Sequence, residues 1–174
     1  MNSRTKLNIG LIGLGRLGRI YARDLATRIP CTRLSAVADV DPAAVGALVR
    51  ECGVHGGCQD PASVFSDRAV DAVVIVTPTS THREIVEGAV AAGKAIFCEK
   101  PLSISLDEAM AIKGAVERSG VFFQMGFMRR FDRGFAAAKR RLGEGAIGDA
   151  VVFKSTSRAP YRPSVEYADP RSSG

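Results

Sequence analysis

The sequence predicts an α/β protein, a doubly wound parallel sheet with helices on both faces, and three observations carry that prediction. Strand-like and helix-like segments alternate from the start of the chain. A glycine loop joins the first strand to the first helix, and an acid closes the second strand. Further on, Asp71 to Thr77 (DAVVIVT) is a β-branched run of the kind expected in a strand buried on both faces.

The elements follow in order. Leu7 to Ile12 reads as a short apolar strand, and Leu14 to Ile29 opens with glycines and becomes a helix. Leu34 to Ala38 is the second strand. Asp41-Pro42 starts a helix running to about Cys52, with Pro42 in the first turn, where its missing N–H costs nothing. Val54 to Cys58 is a weak third strand, interrupted by Gly56-Gly57. After the Asp71–Thr77 strand, a helix from about Thr81 to Ala92 ends at Gly93, a good C-terminal cap. Ala95 to Cys98 is a strand and Leu106 to Arg118 a helix, with Ser105 as N-cap, Glu108 completing a capping box and Gly120 closing it. Val121 to Gln124 is the last strand of this sheet.

Gly13-Leu14-Gly15-Arg16-Leu17-Gly18 fits G-x-G-x-x-G. Alone the pattern is weak, but here a strand precedes it, a helix follows, and Asp39 stands about twenty residues beyond Gly18. Gly13 permits the tight turn, Gly15 lets backbone approach a pyrophosphate, and Gly18 lets the helix pack closely. The free N–H groups at that helix N-terminus meet the phosphate charge. A carboxylate at Asp39 accepts hydrogen bonds from the adenosine ribose and repels a 2′-phosphate, while Val40 and Asp41 supply no cation to hold one. This predicts a Rossmann dinucleotide site for NAD rather than NADP. The bland reading is a glycine turn plus an acidic helix cap at Asp39 or Asp41.

Bulk properties narrow the alternatives. Apolar residues make up 46% of the chain and charged residues 24%, the range of a globular protein. A formal charge of +6 could suit nucleic acid, but the cations are scattered apart from Arg129-Arg130 and Lys139-Arg140-Arg141, and Trp is absent. A solvated basic surface favouring an anionic cofactor is the simpler expectation. Cys31, Cys52, Cys58 and Cys98 do not read as a secreted disulfide framework, and the N-terminus has no signal-peptide pattern. The expected setting is therefore cytoplasmic, with no membrane span. Cys52, His55 and Cys58 recur every third residue, yet a structural zinc site wants four ligands, so no metal site is expected. Arg129 and Arg130 suit either phosphate or substrate contact, or a solvated face.

Five segments occur in order: GLGRLG, ADVDP, TPTSTH (Thr77 to His82), AGKAIFCEKPLS (Ala92 to Ser103) and GFMRRFD (Gly126 to Asp132). Together they resemble the Gfo/Idh/MocA oxidoreductases, and the last segment with its following helix looks most like the inositol 2-dehydrogenase branch. The resemblance implies that Thr77, Pro78 and Ser80 line the cofactor cleft beside the glycine-loop residues Gly13 to Gly18. It implies His82 near the dinucleotide, and Glu99 and Lys100 by the nicotinamide. Lys100 would hold or polarise the substrate oxygen, and the Lys100-Pro101 bond is often cis in the family. The chemical need is independent of the resemblance: hydride removal from an alcohol carbon requires a group that manages the hydroxyl proton.

Residues 1–125 are thus expected to form the NAD-binding domain, and 126–174 the start of a second α+β domain. That start comprises the helix Arg133 to Leu142, the strand Ala150 to Thr156, and an aperiodic segment, Ser157 to Gly174. Family members run to roughly twice this length, and their second domain supplies an Asp-x-x-x-His acid/base pair. The histidines here are His55 and His82, both in the first domain, so a truncated chain lacking that pair is the expectation. The partners implied are NAD and, in the complete enzyme, a sugar or polyol, with homo-oligomers through the second sheet. The alternative reading is a non-catalytic NAD-binding module or pseudoenzyme.

Overall fold

The computed structural model describes residues 6–156 and Arg158. Strands β1 (Leu7–Ile12), β2 (Thr32–Ala38), β3 (Gly56–Cys58), β4 (Ala72–Ile75), β5 (Ala95–Cys98) and β6 (Phe123–Met125) form one sheet. Its order is β3-β2-β1-β4-β5-β6, and every neighbouring pair is parallel. Parallel neighbours need crossovers, and the helices that make them are α1 (Arg16–Arg23), α2 (Pro42–Cys52), α3 (Pro61–Ser66), α4 (His82–Ala91) and α5 (Leu106–Ser119). A last helix, α6 (Arg133–Gly143), follows β6. Strand order reverses between β1 and β4, so the crevice of a doubly wound fold opens there, beyond the strand C-termini.

Side chains alternate across the sheet with a period of two, except in β2, where a register shift against Ile9 and Gly10 of β1 puts Leu34 and Val37 on the same face. Ile9, Leu11, Leu34, Val37 and Val74 face one layer and pack with Ala22, Leu25, Val45 and Leu48 of the α1 and α2 side. Ile12, Val73, Ile75, Ile96 and Cys98 face the other and pack with Val64, Val86, Ala89 and Ile112 of α3, α4 and α5. This double coverage is why the DAVVIVT run is apolar from Ala72 to Val76. Burial pushes the Cys98 thiol up from 9.0 to about 12, with the nearby Glu99 charge adding to the shift.

Local signals shape the ends. Asp41 caps α2 by accepting from the Ala43 amide at 2.9 Å, ahead of Pro42 in the first turn. Ser105 caps α5 by accepting from the Glu108 amide at 3.2 Å. The reciprocal half of the expected capping box is replaced by a relay. The Glu108 carboxylate accepts the Ser103 hydroxyl, and Ser103 Oγ accepts the Ser105 amide at 3.2 Å.

Three elements differ from the sequence expectation. The first helix stops at Arg23 and continues as a π turn, Asp24–Arg28. There the Thr27 hydroxyl donates to the Arg23 carbonyl at 2.7 Å, and the Ile29 amide reaches back to Asp24 at 3.0 Å. Helix α3 was not anticipated, although Asp60 caps it through the Ala62 amide at 2.9 Å. The third difference is the expected strand at 150–156, which has no regular structure. Val151, Val152 and Phe153 are 91%, 84% and 88% exposed. A strand exists only with a partner for its backbone, and among the described residues none pairs with this one. The segment Ser157 to Gly174 lies outside the described residues except for Arg158. No helix among the described residues is long and apolar enough to cross a membrane.

Candidate functional site

The crevice is built first by the glycine loop. Gly13 has φ +93°, and a Cβ there would meet the Val76 carbonyl oxygen at 2.6 Å. At Gly18 a Cβ would lie 2.0 Å from the Gly13 carbonyl oxygen, so only hydrogen lets α1 close onto the loop. Gly15 is different. Its Cβ position has no protein atom within 4 Å, and as the N-cap of α1 it offers no side chain to the first-turn amides. That leaves open space at a positive helix end, the shape and charge a pyrophosphate needs.

Asp39 follows β2 and faces this loop. Its Oδ2 accepts the Leu14 amide at 2.6 Å, and its Oδ1 accepts the Asp41 amide at 2.9 Å. The capping role falls to Asp41 instead, leaving Asp39 at the wall of a cleft of about 510 Å³ with Gly13, Gly15 and Val40. Each carboxylate oxygen keeps a further lone pair for a ribose hydroxyl. Gln59, Pro61 and Thr81 complete that wall.

A second hollow, of about 880 Å³, adjoins the first and shares Val76, Thr77 and Pro78 with it. Arg16, Leu17, Tyr21, Glu99, Lys100 and Met128 line it. Glu99 is only 8% exposed and is tied on three sides. Its amide donates to the Ile75 carbonyl at 3.0 Å, its Oε1 accepts the Tyr21 hydroxyl at 2.6 Å, and its Oε2 accepts the Lys100 amide at 3.1 Å. Gly126 packs so closely that a Cβ there would sit 3.0 Å from the carboxylate. Tyr21 is raised above the ordinary tyrosine range, first by burial, then by the hydrogen bond and charge of Glu99 and the charge of Asp24. Lys100 is exposed in the hollow, and its bond to Pro101 is cis.

Two expected site residues line neither hollow, although His82 does open α4. Ser80 is exposed in the 3-10 turn Thr79–Thr81 and lines neither hollow, because that turn sends Thr79 and Thr81 to the crevice instead. His82 is 1% exposed and lines neither hollow. Its Nδ1 lies 2.9 Å from the Pro101 carbonyl oxygen and its Nε2 3.1 Å from that of Thr77. The imidazole thus joins the loop after β4 to the loop after β5 from beneath. Arg129 and Arg130 sit exposed in a short turn, with the Arg129 guanidinium 5.0 Å from the Phe135 ring centre. Tyr21 was missed, although it lies one helical turn beyond Leu17 on the same face of α1.

A family profile described as an oxidoreductase family with an NAD-binding Rossmann fold, Gfo/Idh/MocA, matches residues 7–127. The scyllo-inositol 2-dehydrogenase (NAD(+)) of Bacillus subtilis is 41% identical over 93% of this chain and 47% of its own length. The myo-inositol 2-dehydrogenase of Thermotoga maritima is 37% identical over 92% of this chain and 48% of its own length. Among solved structures, scyllo-inositol dehydrogenase from Lactobacillus casei with bound NAD(H) and scyllo-inositol superposes with a TM-score of 0.81. It is 36% identical, covering 83% of this chain and 43% of that one. The chain spans about half the length of the relatives it matches.

Proposed function

The chain belongs to the Gfo/Idh/MocA oxidoreductases, with their NAD-binding Rossmann fold, and from that premise we propose that its protein oxidises a ring CH–OH of an inositol-like cyclic polyol or a sugar. The observation that carries the reading is the continuity of the two hollows across the glycine loop. A carboxylate, Asp39, stands at one end, and Glu99 and Lys100 stand at the other.

Each residue then has a task. Asp39 accepts the adenosine ribose hydroxyls, and the α1 N-terminus with Gly15 seats the pyrophosphate. Arg16 and Leu17 flank that seat, while Thr77 and Pro78 form the wall common to both hollows. When bound, NAD supplies the hydride acceptor. Lys100 donates a hydrogen bond to the alcohol oxygen and so orients the carbon that loses hydride, while the hydroxyl proton leaves to a base. Residues 1–125 carry the cofactor task, with the substrate-facing unit beginning near Gly126. Free thiols at Cys31, Cys52, Cys58 and Cys98 suit the reducing cytoplasm, where we place the protein.

The test is calorimetric titration of the chain with NAD and NADP. Tighter binding of NAD is expected, and preference for NADP overturns the assignment of Asp39. For the substrate class, NADH absorbance with myo-inositol, scyllo-inositol and a sugar panel is measured on the whole protein. Loss of that signal in Lys100→Ala is expected. Full turnover in that variant removes Lys100 from the reaction.

A further inference from the structure

Glu99 is a carboxylate withdrawn from water at the end of β5, and a buried charge is tolerable only with donors. Two donors among the described residues reach its oxygens, one from its own chain neighbour and one from another element. One is the amide of the next residue, Lys100, which fixes Oε2 along the strand. The other is the Tyr21 hydroxyl, which comes from α1, the helix whose N-terminus faces the pyrophosphate seat. The two residues are 78 positions apart in sequence, so their meeting is a property of the fold. The Tyr21 ring packs at a tilt on Phe97, with centroids 5.7 Å apart, which sets where the hydroxyl points.

We infer that Tyr21 is a positioning residue for the nicotinamide end of the cofactor: its hydroxyl fixes the Glu99 carboxylate in the second hollow, where Glu99 receives the nicotinamide portion. The inference rests on the NAD reading above. Chemically the match is direct. The oxidised nicotinamide ring carries a positive charge and its carboxamide carries N–H donors, and a fixed carboxylate suits both. Tyr21 holds its proton more firmly than an ordinary tyrosine because burial and Glu99 disfavour the phenolate. It is therefore a standing donor to Glu99 rather than an acid/base for the alcohol. The bond also ties the helix at the phosphates to the strand end at the nicotinamide, so one contact sets the spacing between the halves of the site.

The test separates those halves by titrating the chain with NAD and with ADP-ribose, which lacks only the nicotinamide. Tyr21→Phe keeps the ring on Phe97 and removes one donor. It is expected to weaken NAD about threefold to tenfold, the net scale of one intramolecular hydrogen bond, and to leave ADP-ribose unchanged. Glu99→Gln is expected to weaken NAD in the same selective way, and the double variant to match Glu99→Gln alone, because Tyr21 acts through Glu99. Equal loss on both ligands makes Tyr21 a scaffold residue and overturns the inference. So does an additive double variant, or NAD binding untouched by Tyr21→Phe. An unaltered chain that binds neither ligand overturns the proposed function itself, and this inference with it.

Discussion

Asp39 and Lys94 are both charged and both held by backbone, yet their loss has different consequences. Asp39 faces the crevice, so Asp39→Ala should weaken NAD by about 1–3 kcal/mol, the cost of hydrogen bonds to a charged acceptor. Calorimetry checks this, and an unchanged affinity removes Asp39 from the adenosine site. Lys94 is 8% exposed, and its Nζ donates to the Asp67 and Val70 carbonyls, each at 2.7 Å. Lys94→Met strips both carbonyls of that donor and should destabilise the fold by about 1–3 kcal/mol without touching NAD affinity. Cys98 makes a pH prediction. Its thiol ionises at about 12 folded against 9.0 unfolded, so above pH 9 the unfolded chain holds fewer protons than the folded one. That contribution to stability is full below pH 9 and is lost as pH rises toward about 12. Cys98→Ala should flatten the alkaline fall in thermal midpoint. Asp39 was legible because the fingerprint is a local spacing. The contacts of Lys94, His82 and Tyr21 were not, because each is made with partners that only tertiary packing brings near.

Capping illustrates what an element reveals of itself. Ser105 stands before a periodic run with an acid three residues on, and the helix starts there. Its first-turn bond to Glu108 means Ser105→Ala should cost about 1 kcal/mol, read from denaturant midpoints. The Ser103 relay was hidden, because a hydroxyl two residues ahead of the cap has no fixed pattern. Helix α3 escaped for another reason: six residues hold too few turns to show a period. The segment 150–156 marks the opposite failure, where β-branched composition suggests a strand and pairing decides whether one forms. Its amides should exchange with solvent without protection in this chain, while those of β1 and β4 exchange slowly. Slow exchange at Val151 to Phe153 would mean that those residues pair after all.

At the scale of the molecule, the parallel sheet and its double coverage follow from alternation and from one buried run, so that architecture was readable. The crevice was readable in outline for the same reason, since a doubly wound sheet opens where its order reverses. Less visible was how little the end of the chain leans on the sheet. Along α6 only Ala137 is even half-buried, and every residue from Lys139 to Thr156 is exposed. A chain ending at Asp132 should keep its thermal midpoint within a few degrees and its NAD affinity unchanged. A large loss of either would place α6 within the folding unit. Finally, the sheet contains no hairpin. Ile9 lies beside Ala72, so β1 gains its second neighbour only after a long loop has closed, and that closure costs entropy before any contact repays it. Refolding should therefore be slow for this size, and its barrier should sit at the β1–β4 junction. Val73→Ala should slow refolding in stopped-flow fluorescence, whereas Leu48→Ala, buried under α2, should chiefly speed unfolding. If Val73→Ala leaves the refolding rate untouched, the two halves of the sheet join only after the barrier is crossed.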